Sequence, residues 1–432
     1  MPRARDPPAL EAERKLRPKS GRCLIPQQAL ETTEQIDAAD VVVGILADLD
    51  QEAVATVHEA LRTLHGDLRI VILSSDGNSV QARADSASSG KGPQLSVVPW
   101  PLIAPDASGA PLQSISTAYY SIFAAGEKLG ARAGCIIASK LEAVTSQWVC
   151  QLMQPVLEAK FDLAAPYYAR RKFEGLLNSS VIGPLIRCLY GKRIQNPLGP
   201  DLGFSRALFG MLRGSDRNAN RIHPLASLAP VAICDNLRVC QVHVGPRILP
   251  PTDWTNISSL LVQALGPVFL AMERNAACWQ KARGSVPVSG FGEPLAASDK
   301  SVTVDVNQLL NSFQLGTRDL QEVWGLVLPP ATLLELRKLA RSTPEQFQMP
   351  DELWARIVYD FALAHRLRTI NREHLLRSMT PLYLGWAAGY AREVEAADGA
   401  AVERRLERLS TAFEISKPYL VSRWRWPDRF NP

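Results

Sequence analysis

At 432 residues the chain is longer than the roughly 250–300 residues at which a single hydrophobic core stops growing, so two domains are expected. Hydrophobic residues at 46%, charged residues at 21% and aromatic residues at 7% exclude a disordered, collagen-like or coiled-coil chain. The net charge of +5 is local, because residues 1–22 hold seven Arg or Lys against Asp6, Glu11 and Glu13, and the remainder is nearly neutral.

The basic stretch 1–35 reads as a solvated, disordered arm, and without aromatic residues among its first 22 no nucleic-acid binding is expected of it. It lacks the apolar stretch of a signal peptide, and no run of eighteen apolar residues occurs anywhere. A soluble, cytoplasmic protein without a membrane span is the expectation. The seven cysteines form no CxxC pair and most sit in apolar stretches, which favours buried free thiols over disulfides or zinc.

Order is expected from Ile36, where AADVVVGIL reads as a buried strand. Asp50 can cap a helix over 51–65 with Ala53, Val54, Val57 and Leu61 on one face. Residues 68–73 form a second strand ending at Ser74-Ser75-Asp76-Gly77, which completes a βαβ unit. Residues 78–112, rich in Ser, Gly, Pro and Ala, predict a long irregular connection, followed by a helix over 114–129. A third strand is expected at 133–138, a helix after Thr145, a fourth strand at 161–165, a helix opened by Pro224 and a later strand at 237–243. A long helix over 254–283 then leads into GSVPVSGFGEP, read as a linker over 284–300 between an α/β domain at 36–283 and a helical one at 301–432. Helices are predicted there over 305–313, 332–340, 351–365, 371–395 and 402–413, with Asp351 and Thr369 as caps. Trp324, Trp354, Tyr359, Trp386, Trp424 and Trp426 fall in this region at helical spacing and read as core or docking residues.

In an open α/β sheet ligands bind outside the carboxyl ends of the strands, which points to the loops 44–50, 74–79 and 138–142. There is no GxGxxG and no GxxxxGK[ST], which argues against a dinucleotide site or a P-loop. Gly90-Lys91-Gly92 offers backbone N–H groups and a cation to a phosphate, but so short a match reads as a flexible loop.

The succession VVVGIL, DQE, VILSSDGNS, FAAGEKLGARAGCII and FDLAAPYYARRKFEGLLNSSVIGPLIRCLYGKRIQNPLGPDLGFS resembles the nucleotide-sugar glycosyltransferases of the GT-A fold. Mannosylglycerate synthases and glucosyl-3-phosphoglycerate synthases are the relatives it looks most like. The resemblance covers about 40–280, with 161–205 as its specific part. It implies a mixed sheet flanked by helices and a retaining transfer of a sugar from a UDP- or GDP-sugar donor to a small hydroxyl acceptor of glycerate type.

The resemblance assigns the loop 46–52, with Asp50 and Glu52, and Asp76 to the base and ribose, since a carboxylate accepts hydrogen bonds from base N–H and ribose hydroxyl groups. A turn role in Asp-Gly is the alternative for Asp76. Pro197-Leu198-Gly199-Pro200-Asp201 matches the acceptor loop, with Pro200 where the pattern has glycine, and Asp201 is the expected acceptor residue. Tyr168, Arg170 and Lys172 match a basic stretch that meets an anionic acceptor or the donor phosphates, a solvated positive face being the alternative.

The departures concern the metal. Relatives hold Mg²⁺ or Mn²⁺ on an Asp-x-Asp and a histidine, where this chain has Ala138-Ser139-Lys140 and Leu249. The acidic residue expected ahead of Val231 is replaced by His223-Pro224, and Glu142 is the only carboxylate near Lys140. A hard cation needs oxygen ligands and an ammonium repels it, so no bound cofactor is expected. Lys140, with Arg170 and Lys172, is expected to carry positive charge to the departing diphosphate. His243, on a predicted strand, is expected to be structural. The alternative reading is a catalytically silent pseudo-glycosyltransferase acting as a binding or scaffold module. A homodimer through Tyr383, Trp386 and Tyr390 is one expectation, and intramolecular docking of those rings is the other.

Overall fold

The computed structural model describes residues 36–46, 51–74, 92–99, 111–139, 146–209, 224–247, 252–294 and 304–427. Its centre is an eight-stranded sheet. Strands β1 (Val41–Ile45), β2 (Arg69–Ser74), β3 (Gln94–Pro99) and β4 (Ala133–Ile137) run parallel in the order β3-β2-β1-β4. Beyond β4 comes β7 (Leu202–Ser205), antiparallel to both neighbours, then β5 (Leu163–Ala169), β8 (Val239–Pro246) and β10 (Ser289–Phe291), parallel to one another. Two short strands, β6 (Lys192–Arg193) and β9 (Val286–Pro287), pair separately.

Alternation along these strands makes two apolar faces, as a doubly covered sheet requires. Val42, Val71, Ile136, Leu163 and Phe204 face helix α2 (Pro111–Lys128), through Tyr119, Ile122 and Phe123, and helix α5 (Pro224–Cys234). Val41, Val43, Ile72, Cys135 and Val242 face α1 (Gln51–Arg62) and α3 (Ser146–Leu157), where Trp148, Val149, Leu152 and Met153 are buried. Glycine is required where these layers meet closely, because a Cβ on Gly203 would run into the Leu152 carbonyl.

A third core joins the middle of the chain to its end. A π-helical turn, Asn178–Ile182, leads into α4 (Gly183–Tyr190); these pack with α6 (Ile257–Arg274), α7 (Ala276–Trp279) and seven C-terminal helices. The latter are α8 (Val306–Asp319), α9 (Gln321–Gly325), α10 (Pro330–Ala340), α11 (Asp351–Leu367), α12 (Arg372–Ser378), α13 (Thr380–Val394) and α14 (Gly399–Arg425). The expected α/β architecture, a mixed sheet flanked by helices with a helical C-terminal region, is therefore present.

Several local expectations are corrected. The irregular connection over 78–112 contains β3, whose Gln-Leu-Ser-Val-Val run pairs with β2. Residues read as linker form β9 and β10, the latter closing the sheet edge on β8. The helix expected over 254–283 ends at Arg274 and resumes for one short turn as α7. The helix expected over 371–395 is two, because Pro381 cannot donate an N–H inside a helix and starts α13 afresh. Its cap is Asn371, which accepts from Glu373 and His374, and not Thr369. The last helix is far longer than 402–413, opened by Asp398, which accepts from the Ala401 N–H at 2.7 Å. Tyr383, Trp386 and Tyr390 are buried in the helical core, Trp386 stacking between Trp354 and Tyr390, so they offer no dimer surface. Among the described residues no helix is long and apolar enough to cross a membrane.

Not all thiols are free. Cys234 at the end of α5 and Cys278 in α7 form a disulfide with Cα atoms 5.8 Å apart, while Cys135, Cys150, Cys188 and Cys240 remain reduced. The spacing of 44 residues hid a pair that helix packing brings together. Closing such a loop stabilises a fold by about 4 kcal/mol on chain entropy. Reduction, or the Cys234→Ala variant, should lower the urea midpoint correspondingly; identical midpoints with and without reductant would remove the bond from the structure's support.

One buried carboxyl in the helical core gives a pH signature. Asp360 on α11 accepts from the Tyr419 hydroxyl at 2.8 and 2.9 Å and lies 3.1 Å from Arg423, both on α14. Burial, only partly offset by Arg423, raises its carboxyl to about 7. A raised acid binds more protons folded than unfolded, so its contribution to stability falls as pH rises from about 4 to 7. Relative to Asp360→Asn, the native protein should therefore lose stability across that window in denaturation series. Parallel curves for the two proteins would refute the assignment.

Candidate functional site

The carboxyl ends of β4, β5 and β8 and the start of β7 converge on one side chain, Asp201. It has no solvent exposure. Its Oδ1 accepts from the Ala138 N–H at 2.7 Å and the Ser139 N–H at 2.9 Å, and its Oδ2 accepts from the Tyr168 hydroxyl at 2.6 Å. The Asp201 N–H in turn donates to the Tyr168 oxygen at 3.3 Å. Charge-assisted bonds of this kind are each worth about 1.5–3 kcal/mol, and a carboxylate held by three donors does not need solvent.

Two tyrosines complete the cluster. Tyr168 is fully buried, and burial followed by the neighbouring Asp201 charge pushes its hydroxyl far above the ordinary range, so it stays a donor. Tyr119 on α2 is shifted upward by the same causes and donates to the Pro200 carbonyl. The carbonyl of Pro200, the residue that departs from the glycine of the resemblance, is thus tied down. Gly199 beside it packs where a Cβ would strike the Pro166 ring.

Arg247, at the end of β8, lays its guanidinium over the Tyr168 ring, 4.6 Å from the centroid. Its Nε is buried and makes no hydrogen bond among the described residues. A cation held by a ring with an unused donor is equipped to meet an anion. Next to it Tyr167 stacks on His243 at 4.5 Å, and burial lowers the His243 pKa, in keeping with a structural ring.

The positions named from sequence are distributed as follows. Lys140, Asp50, Asp76, Leu249 and Glu142 lie outside the described residues, and of Glu52 only the backbone, in the first turn of α1, is described. The acceptor role expected of Asp201 needs an exposed oxygen, and both of its oxygens are used internally. Arg170 and Lys172 follow β5 but are engaged by the C-terminal helices. Arg170 donates to Ser179 and, at 2.8 Å, to Glu403 of α14; Lys172 donates to the Glu395 carbonyl at 3.1 Å. Neither is bonded to Asp201. Arg247 and Tyr119 were not singled out by sequence; for Arg247 the available signal was a cation at the carboxyl end of a predicted strand, in a loop position where this fold class binds ligands.

Of the three positions where the resemblance puts metal ligands, Ala138 brings only a methyl group, which binds no hard cation, and Lys140 and Leu249 lie outside the described residues. Beside Ala138, the Ser139 hydroxyl is buried and shared with Tyr168 at 3.5 Å. Among the described residues no group of three or more His, Cys, Asp or Glu is arranged to hold a metal.

No protein-family model and no curated protein matches the chain. Among solved structures, mannosyl-3-phosphoglycerate synthase from Rubrobacter xylanophilus is 14% identical with a TM-score of 0.34, over 61% of this chain and 82% of that one. A mycobacterial protein is 16% identical with a TM-score of 0.31, over 61% and 80%. Likenesses of this size assign no activity.

The buried carboxylate is testable. In Asp201→Asn one carboxylate oxygen becomes an NH₂ facing a donor, which leaves at least one buried donor unpaired. A loss of about 2–4 kcal/mol in chemical denaturation is expected. A loss below about 0.5 kcal/mol would show that the cluster does not organise the sheet end.

Proposed function

We propose that the chain is a glycosyltransferase-type protein that binds a nucleoside-diphosphate sugar across the carboxyl end of the sheet without a divalent metal. The observation that carries this reading is Arg247, a cation braced on Tyr168 with a buried, unpartnered Nε at the end of β8. Lys140, the residue after the Ser139 amide that Asp201 holds, is proposed as the second cation. Asp201 would act as a positioning residue, fixing the backbone that precedes Lys140, while Asp50, Glu52 and Asp76 are proposed at the nucleoside. Departure of a nucleoside diphosphate builds negative charge on the leaving phosphate oxygens, and fixed cations stabilise that charge electrostatically. The acceptor would be a small hydroxyl compound of glycerate type.

A second reading, a catalytically silent binding module, draws support from Arg170 and Lys172, which the C-terminal helices already occupy. Calorimetry with UDP- and GDP-sugars, followed by transfer and hydrolysis assays, separates the two. Binding should be unchanged by EDTA and weakened about tenfold or more in Arg247→Ala and Lys140→Ala, the cost of one charged hydrogen bond to phosphate. Binding without turnover would favour the second reading. Binding that requires a divalent ion, or no binding of any donor, would reject the first.

A further inference from the structure

A small cleft of about 60 Å³ opens between the segment after β5, the start of α4 and the outer face of α14. That is room for a group of a few heavy atoms, well below the size of a pocket for a drug-sized ligand. Three arginines line it, Arg170, Arg187 and Arg193, together with Ser179, Glu403 and Glu407. Their pairing is unequal. Arg187 is saturated: it bonds Glu407 through both terminal nitrogens, at 2.5 and 2.8 Å, and Glu414 through Nε at 2.8 Å, with only 8% of its side chain exposed. This pair is wall, not site.

Arg170 and Arg193 differ from it. Arg193 is 43% exposed, bonds Ser285 through Nε, and its closest carboxylate oxygen, on Glu407, is 4.0 Å away and already shared with Arg187. Among the described residues Arg170 has a single carboxylate partner, Glu403, whose side chain is 52% exposed. Ser179 holds the other arm of the Arg170 guanidinium, so it keeps its orientation when Glu403 moves away. A guanidinium offers five N–H donors, and the two bonds made here leave donors to spare.

We propose that this cleft is a phosphate-binding site in which Glu403 is an internal stand-in for the ligand, leaving Arg170 for solvent when a phosphate group enters. A phosphate carries up to two charges and three acceptor oxygens in a geometry that matches two guanidinium forks better than one carboxylate does. Glu403 can leave at little cost because a partly exposed ion pair is worth little and water receives the freed carboxylate. The ligand is either inorganic phosphate or the phosphoryl group of a small ester. The site includes Arg170, which the resemblance puts in a basic stretch, but it does not require the nucleotide-sugar reading.

Calorimetric titration of the whole protein with inorganic phosphate and, separately, glycerol phosphate, at matched ionic strength, tests the proposal. Glu403→Gln should tighten binding about two- to five-fold, the size of the competing ion pair. Arg170→Gln should abolish it, and Arg318→Gln, a distant exposed pair, should leave it unchanged. Tighter binding of glycerol phosphate would identify an esterified ligand, and equal or weaker binding the free ion. If Arg170→Gln does not fold, Arg193→Gln reads the same cleft. Wild-type affinity in both arginine variants, equal affinity in Glu403→Gln, or no phosphate binding at all would overturn the proposal. Phosphate bound here without any nucleotide-sugar binding would reject the transferase reading and leave this one intact.

Discussion

One buried carboxylate sets the geometry of the candidate site. Asp201 is the first residue before the only antiparallel strand among the described strands of the main sheet, and it reaches across to the backbone at the end of β4 and to a tyrosine of β5. Three segments distant in sequence are thereby fixed to within hydrogen-bond tolerance. The arrangement is self-consistent, because burial, and after it the Asp201 charge, keeps Tyr168 and Tyr119 protonated, and the protonated Tyr168 donates to that carboxylate. Arg247 then rests on Tyr168, so the placement of the cation is inherited from the buried anion.

The helical C-terminal region takes part in that geometry. Its core is continuous with α4 and α6, and its polar contacts fall on the segments that carry the basic stretch. Lys417 of α14 donates to the Leu189 and Ala282 carbonyls, Tyr390 donates to the Lys172 carbonyl, and Arg187 is gripped by two glutamates of α14. The disulfide between α5 and α7 links the helix layer on the sheet to the same helical core. Any substrate that draws Arg170 or Lys172 toward the sheet end must therefore work against α13 and α14, which couples the helices to the site mechanically.

The sequence made the sheet legible because its strands are short runs of β-branched residues with clear alternation, as in Val41–Ile45 and Arg69–Ser74. It concealed β3, whose Ser and Pro content resembles its loop surroundings, and β10, which is only three residues long and owes its form to the waiting edge of β8. Helix boundaries failed where a proline restarts a helix or where Asp398 extends one, since both are decided by single residues. The site was legible as a region and not as a constellation. Asp201 announced itself as an acid in a glycine-proline loop, but besides the Tyr168 hydroxyl its partners are two backbone N–H groups, which carry no side-chain signature at all. The Arg170–Glu403 pair spans 233 positions, and nothing local to either residue reveals it.

On the proposed reading, fixed cations in place of a metal at this sheet end have a definite chemical consequence. A divalent ion bridges two phosphate oxygens rigidly and brings two charges; an ammonium or a guanidinium brings one, through hydrogen bonds that lengthen as the leaving group moves. Ground-state binding depends on total charge and survives such a replacement. Transition-state stabilisation depends on charge held still at the developing anion, and there rigidity matters more. Arg247 meets that demand better than a free lysine would, because the face of Tyr168 restrains its plane, and Tyr168 is itself restrained by Asp201. If turnover persists without a metal, the buried carboxylate two contacts away from the phosphate is what keeps the substitute cation still.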